Sequence, residues 1–294
     1  MNVYIQSVLL GIVEGLTEFL PVSSTAHLRI AEAAMRIPLD DAYWKMYTIV
    51  IQAGAIFALL LLYLERIVAF IKSFPRGESG DRTRFNHPIS LTLIAFAFTS
   101  AIALPLHKMS EKHLSSIAAM AWALLIGGIV MWVVDARSSR YEPNTVHVEE
   151  MSLGQAIWIG ICQSLSAIFP GTSRSMSTIA AGQIVGLDRP SALEFSFLLS
   201  IPTMIAATAW DLLKSIHPGK SALAAGAIPV AEVHMTTQYW IVLAIGFIVS
   251  FIVALGVVEW FLMWVRRHGF TVFAVYRIIL GILLLAFGSK LLGS

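Results

Sequence analysis

Apolar residues run through this chain in long unbroken stretches, not in the alternation of a strand or the one-sided stripe of a surface helix. Six stretches, at roughly 45–64, 88–106, 115–134, 192–212, 238–262 and 271–292, are long enough to cross a hydrocarbon layer of about 30 Å as helices. Two more, 1–35 and 151–187, break near the middle. Pro21-Val-Ser-Ser-Thr interrupts the first and Pro170-Gly-Thr-Ser the second. Proline ends a helix and small polar residues start another, so each half is too short to span. The pattern predicts two re-entrant helix–loop–helix hairpins that dip into a membrane and return to the same side. The fold class is all-α: a polytopic integral membrane protein with six transmembrane helices plus these two hairpins.

The hairpins resemble each other. GIVEGLTEFLPVSSTAH at 11–27 aligns without a gap on GICQSLSAIFPGTSRSM at 160–176. Gly11 falls on Gly160, Ile12 on Ile161, Leu16 on Leu165, Pro21 on Pro170 and Ser24 on Ser173; Gln6 and Gln155 keep the same offset. Three spans follow each hairpin. A single membrane domain over 1–294 thus divides into a first repeat, 1–140, and a second, 150–294. Three is odd, so the second repeat lies upside down, and the interrupted segments of such an inverted-topology repeat meet near the midplane.

Composition agrees. The chain is 57% hydrophobic and 13% charged, with mean hydropathy +0.77, whereas soluble domains carry about 25% charged residues. The lone Cys162 excludes a disulfide framework or a cysteine metal cluster. A net charge of +2 without a basic, aromatic-laced strip points to no nucleic-acid partner. The N-terminus lacks a basic leader and carries two glutamates in its apolar stretch, so it does not read as a removable signal peptide. Lys and Arg concentrate in the loop 65–87, ten on that side of the membrane against seven on the other. Cytoplasmic loops are the basic ones. Both termini are then outside, with the first hairpin opening outward and the second inward.

Ionisable groups at membrane depth are costly and by default functional. Asp211, Glu259 and Arg277 read as span-end or structural groups, and Arg29 with Glu32 as an i,i+3 pair. Glu14 and Glu18 stand one turn apart with no cation at i±3 or i±4. Two such carboxylates must hold a proton or take a cation between them. Mg²⁺ or Ca²⁺ suits oxygen ligands and completes its shell with phosphate. Beyond Pro21, one of Ser23, Ser24 and Thr25 can cap the next helix, which leaves hydroxyls to spare beside His27. A histidine there can serve as general base for a serine or attack directly. The second break brings an anion site: Gly171 permits close backbone approach, Ser173, Arg174 and Ser175 open a helix, and Arg174 adds a fork matched to phosphate. Together the two breaks carry the equipment of phosphoryl transfer to or from a phosphorylated head on an apolar tail.

These residues resemble the bacterial undecaprenyl-diphosphate phosphatases. The resemblance covers essentially the whole chain: EGLTEFLPVSST-A-H at 14–27, VIQAG at 50–54, PGTSRS at 170–175, EFSFLLSIP at 194–202 and VYR at 275–277. It implies release of the terminal phosphate from a polyprenyl diphosphate lipid, which recycles the peptidoglycan carrier and lowers bacitracin sensitivity. It also implies a bacterial inner-membrane location among membrane lipids, a site facing the periplasm and a divalent cation; a homodimer is left open. Glu14 and Glu18 become the metal-binding and catalytic acids, Ser23, Ser24 and His27 the nucleophile and base region, and Ser173, Arg174 and Ser175 the phosphate clamp. Either Ser24 or His27 is the attacking group. Ala26 and Met176 stand where the family usually has glycine. Met176, aligned with His27, is expected to narrow the headgroup pocket or change lipid preference. A transporter or flippase of a phosphorylated polyprenyl lipid is the alternative, because carriers share this architecture but need no serine and histidine three residues apart.

Overall fold

The computed structural model describes residues 1–38, 41–77, 80, 82–113, 116–216 and 235–291. The chain forms α1 (Val3–Thr17), α2 (Ser24–Ala34), α3 (Ala42–Leu62), α4 (Leu64–Ser73), α5 (Pro88–His113) and α6 (Ile117–Ser138). A 3-10 turn at Val148–Glu150 leads into α7 (Leu153–Ile168), α8 (Arg174–Ile184), α9 (Arg189–Ile216), α10 (Thr237–His268) and α11 (Thr271–Leu291). Among the described residues there is no β-strand. Six helices contain a segment long and apolar enough to cross a membrane: Ala42–Leu62, Pro88–Leu106, Ile117–Ser138, Arg189–Trp210, Thr237–His268 and Thr271–Gly288. They coincide with the six uninterrupted runs of the sequence. The side chain of Asp211 lies outside the described residues, and Glu259 is exposed on α10.

Both interrupted stretches form two short helices, of 15 and 11 residues before and after Pro21 and of 16 and 11 around Pro170. At 1.5 Å per residue these are about 16–24 Å long, short of a bilayer core. Asn2 accepts from the Tyr4 N–H to start α1, and Ser152 with Gln155 closes a capping box at α7. The stretch read as a plain loop from residue 65 holds α4, which is separated from α3 by Tyr63 alone. Ten residues with Leu64, Val68 and Ile71 exposed are too few to cross a bilayer core and too one-sided to be buried in the protein.

Helix α1 packs on α10, α7 on α5, and α6 on α11. Glycine makes the first two contacts close. A methyl at Gly11 or Gly15 would stand 2.8 or 2.7 Å from the Gly246 or Ser250 carbonyl oxygen of α10, and one at Gly160 would collide with the Ala95 backbone of α5. Lipid tails are as apolar as leucine, so such helices associate through close packing. Asp135, fully buried, fastens the end of α6: Gln183 and Arg189 donate to one oxygen at 3.2 and 2.7 Å, and the Phe270 N–H and Thr271 hydroxyl donate to the other.

The loops at Pro21 and Pro170 meet inside the helix assembly. Phe19 and Val22 join one core with Met176, Ile179, Phe197 and Leu198, and the Phe19 and Phe197 rings meet edge-on at 5.6 Å.

Candidate active site

Each break is completed by a serine in an unusual backbone conformation. Ser23 caps α2 at φ +75° and Ser173 caps α8 at φ +73°, a region that costs a residue with a side chain about 1–3 kcal/mol. Surrounding bonds hold these turns. The Ser173 hydroxyl accepts the Met176 N–H at 3.3 Å, and the Ser175 hydroxyl donates to the Leu20 carbonyl across the two tips at 2.9 Å. Arg277 of α11, wholly buried, donates to the carbonyls of Pro21 (3.1 Å), Gly171 (3.2 Å), Thr172 (2.9 Å) and Ala123 (3.1 Å). One guanidinium therefore ties both loops together. The structural role read for Arg277 holds, and its target is the pair of breaks.

Of the three hydroxyls after Pro21, none makes the expected side-chain cap from the Ncap position. The Ser24 hydroxyl turns back and donates to Glu18 Oε2 at 2.5 Å. The other oxygen, Glu18 Oε1, lies 3.6 Å from Arg174 Nη2. Hydroxyl, carboxylate and guanidinium thus form one chain across the two breaks. Glu14, one turn earlier and 1% exposed, has no protein hydrogen-bond partner for either carboxylate oxygen. Arg174 reaches the Ser196 carbonyl with Nη1 at 3.5 Å, while its Nε has no partner.

A cavity of about 150 Å³ opens on this chain. Glu18, Ser23, Ser24, Thr25 and Gln52 line it from the first half, and Ser166, Gly171, Ser173, Arg174 and Thr203 from the second. A neighbouring cavity of about 260 Å³ shares Ser24, Thr25 and Gln52 and continues past Glu14 to Arg29, Glu32 and Lys45. Arg29 and Glu32 pair at 3.3 Å, as their spacing implies. The two halves contribute opposite charge to a polar pocket surrounded by membrane-spanning helices. Such a pocket can bind a phosphorylated headgroup and present a hydroxyl to it.

A family model described as "Bacitracin resistance protein BacA" matches residues 7–283. The chain belongs to the BacA family. The undecaprenyl-diphosphatase of Koribacter versatilis (strain Ellin345) is 57% identical over 291 residues, covering 99% of this chain and 100% of its own. The undecaprenyl-diphosphatases of Caldanaerobacter subterraneus subsp. tengcongensis and Rhizobium etli (strain CIAT 652) are each 40% identical over 286 and 288 residues. They cover 97% and 98% of this chain, and 96% and 98% of their own.

Against the family pattern, Glu18, Ser23, Ser24, Thr25, Gly171, Ser173 and Arg174 share one cavity and Glu14 lines the next. Ser175 does not face it; fully buried, it links the tips. No hydrogen bond joins His27 to Ser24. Its Nδ1 lies 2.7 Å from the Ser23 carbonyl and its Nε2 2.6 Å from the Tyr276 hydroxyl. Met176 also departs from expectation. Helix α8 starts four residues after Pro170 but α2 three after Pro21, so the ungapped alignment slips by one at the loop. Met176 therefore takes the position of Ala26. Both are buried behind the hairpins, Ala26 against Ala121, Leu124 and Leu284, and Met176 beside Gly127 and Arg277. Neither lines the headgroup cavities. Gln52, Ser166 and Thr203 were missed, although Gln52 is a polar residue inside an apolar span and carries the same signal as Glu14.

Proposed function

We propose that this member of the BacA family is a membrane phosphatase that hydrolyses undecaprenyl diphosphate to undecaprenyl phosphate and inorganic phosphate. That reaction recycles the carrier lipid for peptidoglycan synthesis and lowers bacitracin sensitivity. The names of its full-length relatives support the reaction. The observation that carries it is the Ser24–Glu18–Arg174 chain in one polar cavity. A carrier needs the charges, but not a hydroxyl already donating to a carboxylate.

In this reading the terminal phosphate sits on Arg174 and the N-terminus of α8, where free N–H groups and the guanidinium fork match its oxygens. Ser24 Oγ attacks the terminal phosphorus as its proton passes to Glu18. The phosphoanhydride bond breaks, its electron pair leaves on the lipid monophosphate, and Glu18 gives that oxygen the proton. Water then attacks the phosphoserine, Glu18 takes a proton from it and returns it to Ser24 Oγ, and inorganic phosphate departs. His27 takes no direct part; its Nδ1–H holds the Ser23 carbonyl and hence the turn that aims Ser24. Thr25 and Ser173 border the phosphate. Glu14 and Glu18 suit a hard cation, Mg²⁺ or Ca²⁺, because Glu14 offers two buried carboxylate oxygens without a protein partner. Among the described residues no three His, Cys, Asp or Glu cluster in a metal-holding arrangement, so phosphate and water would complete the shell. Once bound, such an ion would neutralise charge on the phosphate oxygens.

The two broken segments are re-entrant hairpins of an inverted repeat. Their arms are too short to span, and α1 meets α10 as α7 meets α5. The basic loop 65–87 reads as cytoplasmic, and the cavities' continuation to Lys45 on the opposite side supports a site facing the periplasm of the bacterial inner membrane.

The test is phosphate release from undecaprenyl diphosphate by purified protein, with and without chelator. Ser24→Ala, Glu18→Gln and Arg174→Ala should each cost at least about 10²-fold in kcat, and chelation should abolish turnover. Full turnover by Ser24→Ala would transfer the nucleophile to another group, and lipid movement in vesicles without phosphate release would overturn the enzyme reading.

A further inference from the structure

Tyr276 precedes the buried clamp Arg277 on α11 and turns the other way. Its ring is 44% exposed and lines neither headgroup cavity. Yet its hydroxyl lies 2.6 Å from His27 Nε2, and the two rings stack at 5.6 Å between centroids with 16° between planes. The other end of the imidazole fixes the direction of this bond. A carbonyl oxygen only accepts, so Nδ1, 2.7 Å from the Ser23 carbonyl, carries the proton. In the neutral ring Nε2 is then the acceptor, and the Tyr276 hydroxyl donates to it.

A relay follows from these contacts. The Ser23 carbonyl sets the tautomer of His27, and Tyr276 holds the ring in its plane. His27 holds the carbonyl of Ser23, the residue at φ +75°. Ser23 precedes Ser24, whose hydroxyl must meet both Glu18 and the phosphate. Arg277 grips the same turn through the Pro21 carbonyl. Two adjacent residues of α11 thus bracket one strained turn, one by a guanidinium and one through an imidazole.

We infer that Tyr276 is a positioning residue for the phosphatase reaction, acting through His27 on the Ser23–Ser24 turn without touching substrate. The inference rests on Ser24 as the attacking group. It predicts that Tyr276→Phe, which keeps the stacked ring and removes one hydroxyl, lowers kcat about 3- to 10-fold, the worth of one hydrogen bond. KM should stay within about 2-fold, because no phosphate contact is lost. The unfolding midpoint should fall only slightly, because a single hydrogen bond of a half-exposed residue is lost.

A double-mutant cycle separates relay from general loosening. Once His27→Ala has removed the ring, adding Tyr276→Phe should cost nothing further in kcat. The ¹⁵N spectrum of histidine-labelled protein adds a readout that needs no turnover. Wild type should show His27 neutral, protonated at Nδ1, with Nε2 accepting a hydrogen bond, and Tyr276→Phe should shift the Nε2 resonance as that bond is lost. Unchanged kcat in Tyr276→Phe, multiplicative losses in the double variant, or an unaltered nitrogen spectrum would each overturn the inference. Activity surviving in Ser24→Ala would instead remove the nucleophile assignment, while the spectrum would still decide whether Tyr276 bonds His27 Nε2.

Discussion

Arg277→Met tests whether the two hairpin tips are held by one side chain. The guanidinium is wholly buried and its four partners are neutral carbonyls. Removing it strips a donor from the loop carbonyls of Pro21, Gly171 and Thr172. A buried acceptor left without a partner costs about 1–3 kcal/mol, so the three together cost about 3–9 kcal/mol. Against this stands the desolvation of the guanidinium, several kcal/mol that the methionine variant no longer incurs. The net expectation is about 3 kcal/mol of lost stability, read as a lower unfolding midpoint in detergent. The larger effect should be kinetic. With the clamp gone, Ser24 and Arg174 sit on loops no longer locked to each other, and a misplacement of about 1 Å can cost about 10²-fold in rate. Arg277→Lys should recover little, because an ammonium cannot span carbonyls in both loops as a planar fork does. Unchanged midpoint and unchanged kcat in Arg277→Met would refute the clamp.

Gly127→Ala should destabilise by about 1–3 kcal/mol, since its methyl would meet the Arg277 guanidinium and stand 2.7 Å from the Met176 methyl. Combining it with Met176→Ala should give less than the sum of the two losses, and strict additivity of unfolding free energies would argue against a shared site. Met176→Gly alone should lower stability by about 2–5 kcal/mol yet leave relative turnover of undecaprenyl and shorter prenyl diphosphates unchanged; an altered ratio would return Met176 to the headgroup pocket. Gln163→Glu, at the repeat position of Glu14, removes the donor to Thr99 and Thr203 at 3.1 and 3.0 Å and adds a carboxyl behind the cavity wall. It should raise KM for the diphosphate several-fold, and an unchanged KM would refute that placement. His87 accepts the Ile89 N–H on Nδ1 at 3.2 Å, and burial first, then Arg82, holds its pKa below the ordinary 6.5. Folded His87 is neutral, so its stabilising contribution is complete above that value and falls as pH drops below it. Exchange of the Ile89 amide, normalised to its intrinsic rate, should therefore speed up from pH 7.5 to 5.5 in wild type and not in His87→Asn; a flat wild-type profile would refute it.

The spans and both breaks were legible because run length and proline are local signals. Helix α4 was not, since ten one-sided residues fall below any span test. Glu14, Glu18 and Arg174 stood out as charges in apolar surroundings, and the cavities lie among them. Their wiring was less visible. Ser24 bonds Glu18 six residues back across a helix break, a separation that no helical periodicity pairs. Arg277 reaches Pro21 over 256 residues, and Tyr276 reaches His27 over 249. Met176 was misplaced because an ungapped alignment cannot register a loop one residue longer, and that single residue turns the side chain from the pocket to the core.

The same offset accompanies a difference in charge between the two broken segments. Gln163 replaces Glu14 and Ala167 replaces Glu18, while Arg174 stands structurally where Ser24 does. Two identical tips would bring four carboxylates, or two guanidiniums, into one low-dielectric pocket, and like charges there repel strongly. A carboxylate tip set against an arginine tip removes that repulsion. The Glu18–Arg174 pair, at 3.6 Å, becomes one of the contacts that join them. It leaves Glu14 without a partner and Arg174 with an unbonded Nε, the two polar groups that a phosphate with its cation would satisfy. The division of charge between the tips thus permits the two broken segments to meet while polar groups of both Glu14 and Arg174 stay without a hydrogen-bond partner.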